Sequence, residues 1–201
     1  DLDLRQARLV LPGLGWSKEI GVPASMAFDL RPAEGGSRIE NMVLAGDGFG
    51  FTGKAEVNAA DGLVAAQLAG FHLQPGDDVA VTIARKGAGY AVAVDGASFD
   101  VRGVIAEMKS DGEDAEGAGS TDLSVEARVR KLRGYDNRTI NDAALTFVIT
   151  GDVPRQLTVN GKLGGVPLSL AYVDDLARAS LKATAGDAGA VLAYLDIYGR
   201  I

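Results

Sequence analysis

The chain has 201 residues, 27 acidic against 20 basic side chains, and a formal net charge of −7. It contains no cysteine, which excludes disulfides, thiol catalysis and cysteine-based zinc sites. An acidic chain also repels a phosphate backbone, so we expect no nucleic-acid partner. Apolar residues make up 47% and there are 27 glycines, a mixture typical of many short strands joined by turns.

Alternation of apolar and polar residues is the dominant pattern, and it predicts strands with one buried face. In chain order, the alternating runs are 22–30, 51–57, 79–83, 90–94, 123–129, 157–163 and 166–172. Turn signals such as Asp95-Gly96 and Gly164-Gly165 separate them at short intervals. Short connections join antiparallel neighbours, so we predict an all-β antiparallel meander with one apolar and one charged face.

Two short amphipathic helices are predicted to interrupt the strands, each beginning after an aspartate that can cap it, Asp100 or Asp187. Their apolar positions are Val101, Val104, Ile105 and Met108 in the first helix and Ala188, Val191, Leu192, Leu195 and Tyr198 in the second. Gly199 is the expected end of the second helix. Either helix could cover an end or an edge of the sheet.

The acidic, glycine-rich segment 110–121 cannot bury apolar area, and we expect a flexible loop there. It is the one candidate boundary within the chain. We therefore interpret residues 1–201 as a single section of an elongated sheet. Because alternation is already under way at Asp1-Leu2-Asp3-Leu4, we interpret this section as a fragment of a longer protein.

Residues that could support chemistry are few, and we predict no catalytic residue, metal site or cofactor. His72 is the only histidine and has no motif around it. The acid pairs Asp77-Asp78 and Asp174-Asp175 lie at predicted turns, where aspartate is favoured, and they lack the spacing of a calcium loop. The basic cluster formed by Arg128, Arg130, Lys131 and Arg133 is interpreted as a solvated face, with lipid headgroups or a partner protein as the alternative.

The apolar face allows two interpretations. It could be the ordinary core of a closed sandwich. If the sheet curls without a covering sheet, the same face would be a long apolar trough, and exposed apolar area of that size marks a binding surface. Periodicity does not separate the two.

Three segments resemble the AsmA-like family, in particular its large YhdP-type group and its C-terminal region. The last segment runs from Asp187-Ala188-Gly189 through Leu192 to Ile201 and is similar to a signature of that region. Gly15-Trp16-Ser17-Lys18, and the passage from Gly89-Tyr90 to Phe99-Asp100-Val101, are similar to upstream stretches in the same order. Glu19-Ile20 departs from the proline-containing pair usual after the lysine.

The resemblance implies a U-shaped β-groove, related to bridge-like lipid-transfer proteins, in a periplasmic part of an inner-membrane-anchored protein. It implies a non-enzymatic role in binding or conducting phospholipid acyl chains between the inner and outer membranes, with envelope proteins as further partners. Membrane contact would be made by other parts of the full-length chain. The groove candidates on the predicted apolar face are Val79, Val81, Ile83, Tyr90, Val92, Val94, Val125 and Val129. The alternative is a structural or scaffolding module for outer-membrane assembly that carries no lipid.

Overall fold

The computed structural model describes residues 1–109, 122–151, 153–174 and 178–197. The strands are β1 (Leu2–Asp3), β2 (Leu9–Leu11), β3 (Trp16–Lys18), β4 (Ala24–Ala33), β5 (Gly36–Gly46), β6 (Gly50–Asn58), β7 (Gly62–His72), β8 (Asp78–Lys86), β9 (Gly89–Asp100), β10 (Leu123–Arg133), β11 (Thr139–Thr150), β12 (Val153–Leu163), β13 (Val166–Asp174) and β14 (Ala179–Ala185). The helices are α1 (Arg102–Lys109) and α2 (Ala188–Tyr194). The predicted loop 110–121 and the predicted helix end at Tyr198 and Gly199 lie outside the described residues.

One sheet contains 12 strands in the order β1-β4-β5-β6-β7-β8-β9-β10-β11-β12-β13-β14, and β2 and β3 form a separate hairpin. The all-β meander predicted from alternation is therefore confirmed. One pair departs from the antiparallel expectation, because β9 and β10 run parallel. Parallel neighbours need a long crossover instead of a hairpin, and α1 lies in that connection.

Bulges interrupt several strands and curve the sheet. Asn41, Gly70 and Asp142 have positive φ angles of 51°, 58° and 52° inside β5, β7 and β11, and the pairing register shifts beside each of them. A bulge adds one residue, so alternation changes phase while apolar side chains on both sides keep to one face. The result is the predicted strongly curved, U-shaped sheet with an apolar inner face and a polar outer face.

The main core lies at one end of the inner face, where three elements cover the sheet. We call these elements, the β2–β3 hairpin, α1 and α2, the plug. The buried cluster beneath it contains sheet residues such as Val79 and Val129 together with Ile105 of α1 and Tyr194 of α2. The residues packed around the plug come from strands β7 to β13, so the plug connects strands that lie up to six places apart in the sheet.

Polar contacts join the three parts of the plug. The backbone N–H of Gly13 donates to the Glu107 carboxylate of α1 at 2.8 Å, and Lys109 Nζ donates to the carbonyl of Asp196 after α2 at 2.8 Å. Gly15 must be glycine, because a Cβ atom there would lie 2.2 Å from the Gly103 carbonyl oxygen. The Trp16 Nε1–H donates to the Leu73 carbonyl at 3.1 Å and ties the hairpin to the sheet.

Both predicted helices are present, and α2 ends at Tyr194, earlier than predicted. Asp187 is the N-cap of α2 as predicted, whereas Asp100 lies one residue before the cap position of α1 and still accepts a backbone hydrogen bond from the first turn. Asp100 Oδ1 accepts from the Arg102 N–H at 3.0 Å, and Asp187 Oδ1 accepts from the Ala190 N–H at 2.9 Å. The prediction that Met108 lies on the packed apolar side of the first helix is wrong, because this side chain is exposed. In α2 the buried residues are Ala190 and Tyr194, since these are the positions that face the sheet.

Candidate functional site

Two rows of apolar side chains cross the inner face at right angles to the strands. They follow from the register, because directly paired residues point to the same face of a sheet. The first row is Leu68, Val81, Val94, Ala127, Leu145, Val159, Leu170 and Ala183. The second row is Ala66, Ile83, Val92, Val125, Phe147, Leu157, Tyr172 and Leu181. We call these two rows together the trough.

The two rows differ in what lies over them. Several residues of the first row, among them Val81 and Val159, pack against the core cluster beneath the plug. In the second row, Val92, Val125 and Phe147 are half-buried and do not belong to that cluster. An apolar side chain in the middle of a wide sheet stays half-buried when its strand neighbours shield its flanks and its tip meets solvent. The second row therefore presents an open apolar surface.

All the groove candidates predicted from the sequence lie on the inner face, on three neighbouring strands. Ile83, Val92 and Val125 pair directly with one another in the second row, and Val81 and Val94 pair in the first row. Tyr90 lies one step beyond the second row, opposite Leu123. Val79 and Val129 lie at the other end and are only 2% and 3% exposed under the plug, so they belong to the core and do not face the open surface.

A buried ionic cluster fixes the border between the sheet and the plug. The side chain of Asp77 is fully buried. Its Oδ1 accepts from Arg133 Nη2 at 2.6 Å and from the Asp100 N–H at 2.9 Å, and its Oδ2 accepts from the Gln74 N–H at 2.9 Å. The sequence interpretation of Asp77 as a turn residue is correct, and Arg133 is not part of a solvated basic face as predicted.

Asp100 is the second acid of this cluster. Burial favours its neutral form, but hydrogen bonds from Arg102 and the charges of Arg102 and Arg133 outweigh burial and lower the pKa of the Asp100 carboxyl. Tyr194, close by, donates its hydroxyl to the Leu132 carbonyl at 3.3 Å. Burial, and then the charge of Asp100, raise the pKa of this phenol. Both groups keep their neutral-pH protonation state and serve the packing of the plug.

The end of the inner face away from the plug is its open end, and it is bordered by residues that we call the rim. The rim consists of the charged residues Arg85, Arg155 and Asp174 and of Tyr90, Leu123 and Ile149. Arg85 lies two residues beyond Ile83 in a regularly paired part of β8, so it shares the face of the second row. Arg155 lies at a bulge, where the pairing of β11 with β12 shifts, so alternation does not fix its direction. Its ion pair does, because Asp174 lies two residues beyond Tyr172 on β13 and therefore on the inner face. Arg85 Nη1 donates to the Asp61 carbonyl at 2.6 Å. Arg155 Nη1 donates to Asp174 Oδ2 at 3.0 Å.

The groove candidates predicted from the sequence did not include the rim arginines or eleven of the sixteen trough residues. Arg85 and Arg155 stand at the ends of alternating runs, where a basic residue is normally interpreted as the solvated end of a strand. The alternation of Arg85 with Ile83 was the available signal for Arg85, whereas the bulge at Arg155 left no such signal in the sequence. Phe147 was missed because strand β11 was not predicted at all.

Two further depressions carry no recognisable chemistry. One of about 570 Å³ opens on β5–β8 beside the bulge at Asn41 and has polar side chains such as Glu40, Lys54 and Gln67 around it. The other, of about 310 Å³, lies inside the plug beside Trp16 and Asp100. Within the described ranges, no group of three or more His, Asp or Glu side chains is placed to hold a metal ion. His72 ends β7, and its Nδ1 lies 2.7 Å from the Gly70 carbonyl oxygen.

Comparison with protein-family models, with curated proteins and with solved structures finds no match for this chain. In the part of the chain that the structure describes, neither α1 nor α2 is long and apolar enough to cross a membrane.

Proposed function

We propose that this chain is a non-enzymatic section of an AsmA-like envelope protein that binds phospholipid acyl chains along the trough. The observation that carries the proposal is the second row, an apolar row that crosses eight strands and whose middle residues Val92, Val125 and Phe147 are only partly buried and lie outside the core cluster. Acyl chains suit such a surface because each methylene removed from water gains ~0.8 kcal/mol without needing a polar contact.

The dimensions of the trough support this ligand class. Seven strand spacings of ~4.8 Å give a row about 34 Å long. One leaflet is half of a hydrocarbon core about 30 Å thick, so an acyl chain is about 15 Å long. Each row is therefore longer than one chain, and a chain lying along it meets the same apolar chemistry at each strand. A uniform surface of this kind favours sliding and gives little selectivity for chain length.

The cellular setting follows the family resemblance and belongs to the same proposal. The section would lie in the periplasm, as part of an inner-membrane-anchored protein, and would conduct phospholipid between the inner and outer membranes. What supports this setting is the agreement between the U-shaped sheet implied by the resemblance and the curved sheet with an open apolar face.

The test is native mass spectrometry, with lipid extraction, on protein purified from a bacterial host. The double variant Val92→Asp/Val125→Asp places two carboxylates in the middle of the second row and should abolish co-purification of phospholipid. The matched control Ala84→Asp/Ala144→Asp adds the same charge at exposed outer-face positions and should leave lipid binding unchanged. Equal lipid recovery from both folded variants would reject the trough as the binding surface.

A scaffolding role is the second candidate, and the edges of the sheet favour it. Within the described residues no strand pairs with the free edge of β14, or with β4 after Met26, the last β4 residue that pairs with β1. Unpaired edges are templates for a strand of a partner protein. Wild-type protein that stays free of lipid after incubation with phospholipid vesicles, yet pairs with an added strand, would favour the scaffold.

A further inference from the structure

The rim carries an inference beyond acyl-chain binding, and this inference rests on the proposed lipid-binding function. Arg85 and Arg155 are the basic side chains that the inner face of the trough presents at its open end. Arg85 lies one alternate position, about 6.6 Å, from Ile83 in the second row. The second row is the open one of the two, so it is the row along which the acyl chains of a lipid held at the rim would lie.

Both arginines are held in place without being buried. The Arg85 guanidinium lies 5.9 Å from the centre of the Tyr90 ring, and its Nη2 lies 3.5 Å from Asp61 Oδ1. The side chains of Arg85 and Arg155 are 28% and 25% exposed. Their aliphatic stems therefore cover apolar surface while the charged groups reach the water at the mouth of the trough.

Donors for an anion remain on each guanidinium. An arginine has five N–H donors, whereas the contacts that Arg155 makes with the described residues involve Nη1, and those of Arg85 involve Nη1 and Nη2. The Arg85–Asp61 pair is 3.5 Å long and its aspartate is 46% exposed, so this pair is weak and a phosphate can compete for the guanidinium. The Arg155–Asp174 pair is part-buried, so a phosphate would bind beside the aspartate. The aspartates keep the rim close to neutral, and a bound anion is therefore not held as strongly as by two unpaired arginines.

We propose that Arg85 and Arg155 bind the phosphates of phospholipids whose acyl chains lie along the open second row of the trough. The arginines lie on β8 and β12, four strands apart, which is about 19 Å along the sheet. Each arginine has its own aspartate partner, Asp61 or Asp174, so each is treated as a separate headgroup position. A lipid moving along the trough would pass from one position to the next.

The experiment compares lipids that share acyl chains and differ in the phosphate. Wild-type protein is incubated with vesicles containing dioleoylphosphatidylglycerol or with dioleoylglycerol, and bound lipid is counted by native mass spectrometry. We expect about tenfold tighter retention of the phospholipid, because charge-assisted hydrogen bonds are strong. Arg85→Gln/Arg155→Gln should lose this preference and bind both lipids at the level of dioleoylglycerol.

The control is Arg128→Gln/Arg130→Gln, which removes two exposed arginines from the outer face of β10 and should keep the preference. The single variant Arg155→Gln keeps the test informative if the double variant does not fold, and it should reduce the preference. Unchanged preference in the rim variants, or an equal loss of both lipids, would overturn the inference. Inorganic phosphate alone should not bind, and binding as tight as that of the phospholipid would point to a free anion instead. Failure of wild-type protein to bind either lipid would reject the proposed function itself.

Discussion

Similar side chains differ in exposure between the two ends of the same strands, the end under the plug and the open end. Val129 and Val125 lie on one face of β10, four residues apart, yet Val129 is 3% exposed and Val125 is half-buried. Val79 and Ile83 on β8 show the same contrast. Strand and face are matched in both pairs, and residue type is matched in the first, so the difference comes from the plug. The comparison teaches that alternation alone reports which residues share a face and not whether anything covers that face.

The sharpest test of this comparison is the same charge at each end. Val129→Asp should prevent folding or cost several kcal/mol of unfolding free energy, because a carboxylate under the plug has neither water nor a partner. Val125→Asp should cost about 1 kcal/mol, the loss of strand propensity, because its carboxylate reaches water. Urea unfolding of both variants measures the difference. Similar large losses would mean that the second row is covered after all.

The ionic cluster should separate the two ends in the same way. Asp77→Ala removes four hydrogen-bonded contacts and leaves Arg133 unpaired beside the core, so we expect a loss of about 3 kcal/mol or more. Asp61→Ala removes an ion pair at the open end, 3.5 Å long and partly exposed, and should cost less than about 1 kcal/mol. Chemical denaturation of the two variants gives both values, and a reversed order would show that the open end carries more of the stability.

The bulges determine which residues of a strand point to the inner face, and both rows depend on this alternation. Asp142 has a φ of 52°, where a β-branched residue is strained, so Asp142→Val should lose about 1–2 kcal/mol. Asp142→Gly should be neutral within about 0.5 kcal/mol, because glycine adopts this conformation freely. Thermal unfolding compares the pair. A valine variant as stable as the glycine variant would show that the backbone at this bulge is not under the constraint that its φ angle indicates.

The smallest effect concerns acid. The folded state lowers the pKa of Asp100, so its contribution to stability is present above the ordinary pKa of 3.8 and is lost as the pH falls through the folded value. Asp100→Asn should therefore be less stable than wild type by about 1 kcal/mol at pH 7, and the gap should begin to shrink as the pH falls below about 4. Urea unfolding between pH 7 and pH 3 measures it, and a gap that stays constant with pH would assign the effect to packing.

The fold class, the inner face and the helix caps could be predicted from the sequence, because alternation and capping act within a few residues. Strands β5, β7 and β11 were not predicted from their own pattern, because the extra residue at Asn41, Gly70 or Asp142 breaks the alternation in the middle of each strand. The parallel pairing of β9 with β10 and the position of the plug depend on contacts between distant residues. The same holds for the rim, since strand pairing brings Arg155 to the face of Ile83.

The unpaired edges of the sheet have a consequence for size. Both rows of the trough continue to β14, where Leu181 is exposed. At the other edge the inner face continues to β4, where Leu30 is exposed. A further strand at either edge would lengthen the apolar path by ~4.8 Å and leave its width and chemistry unchanged. The reach of such a molecule is therefore additive. The length of the apolar path is the number of strands multiplied by the strand spacing of ~4.8 Å. Adding or removing a hairpin therefore changes this length without changing the apolar surface that contacts the ligand.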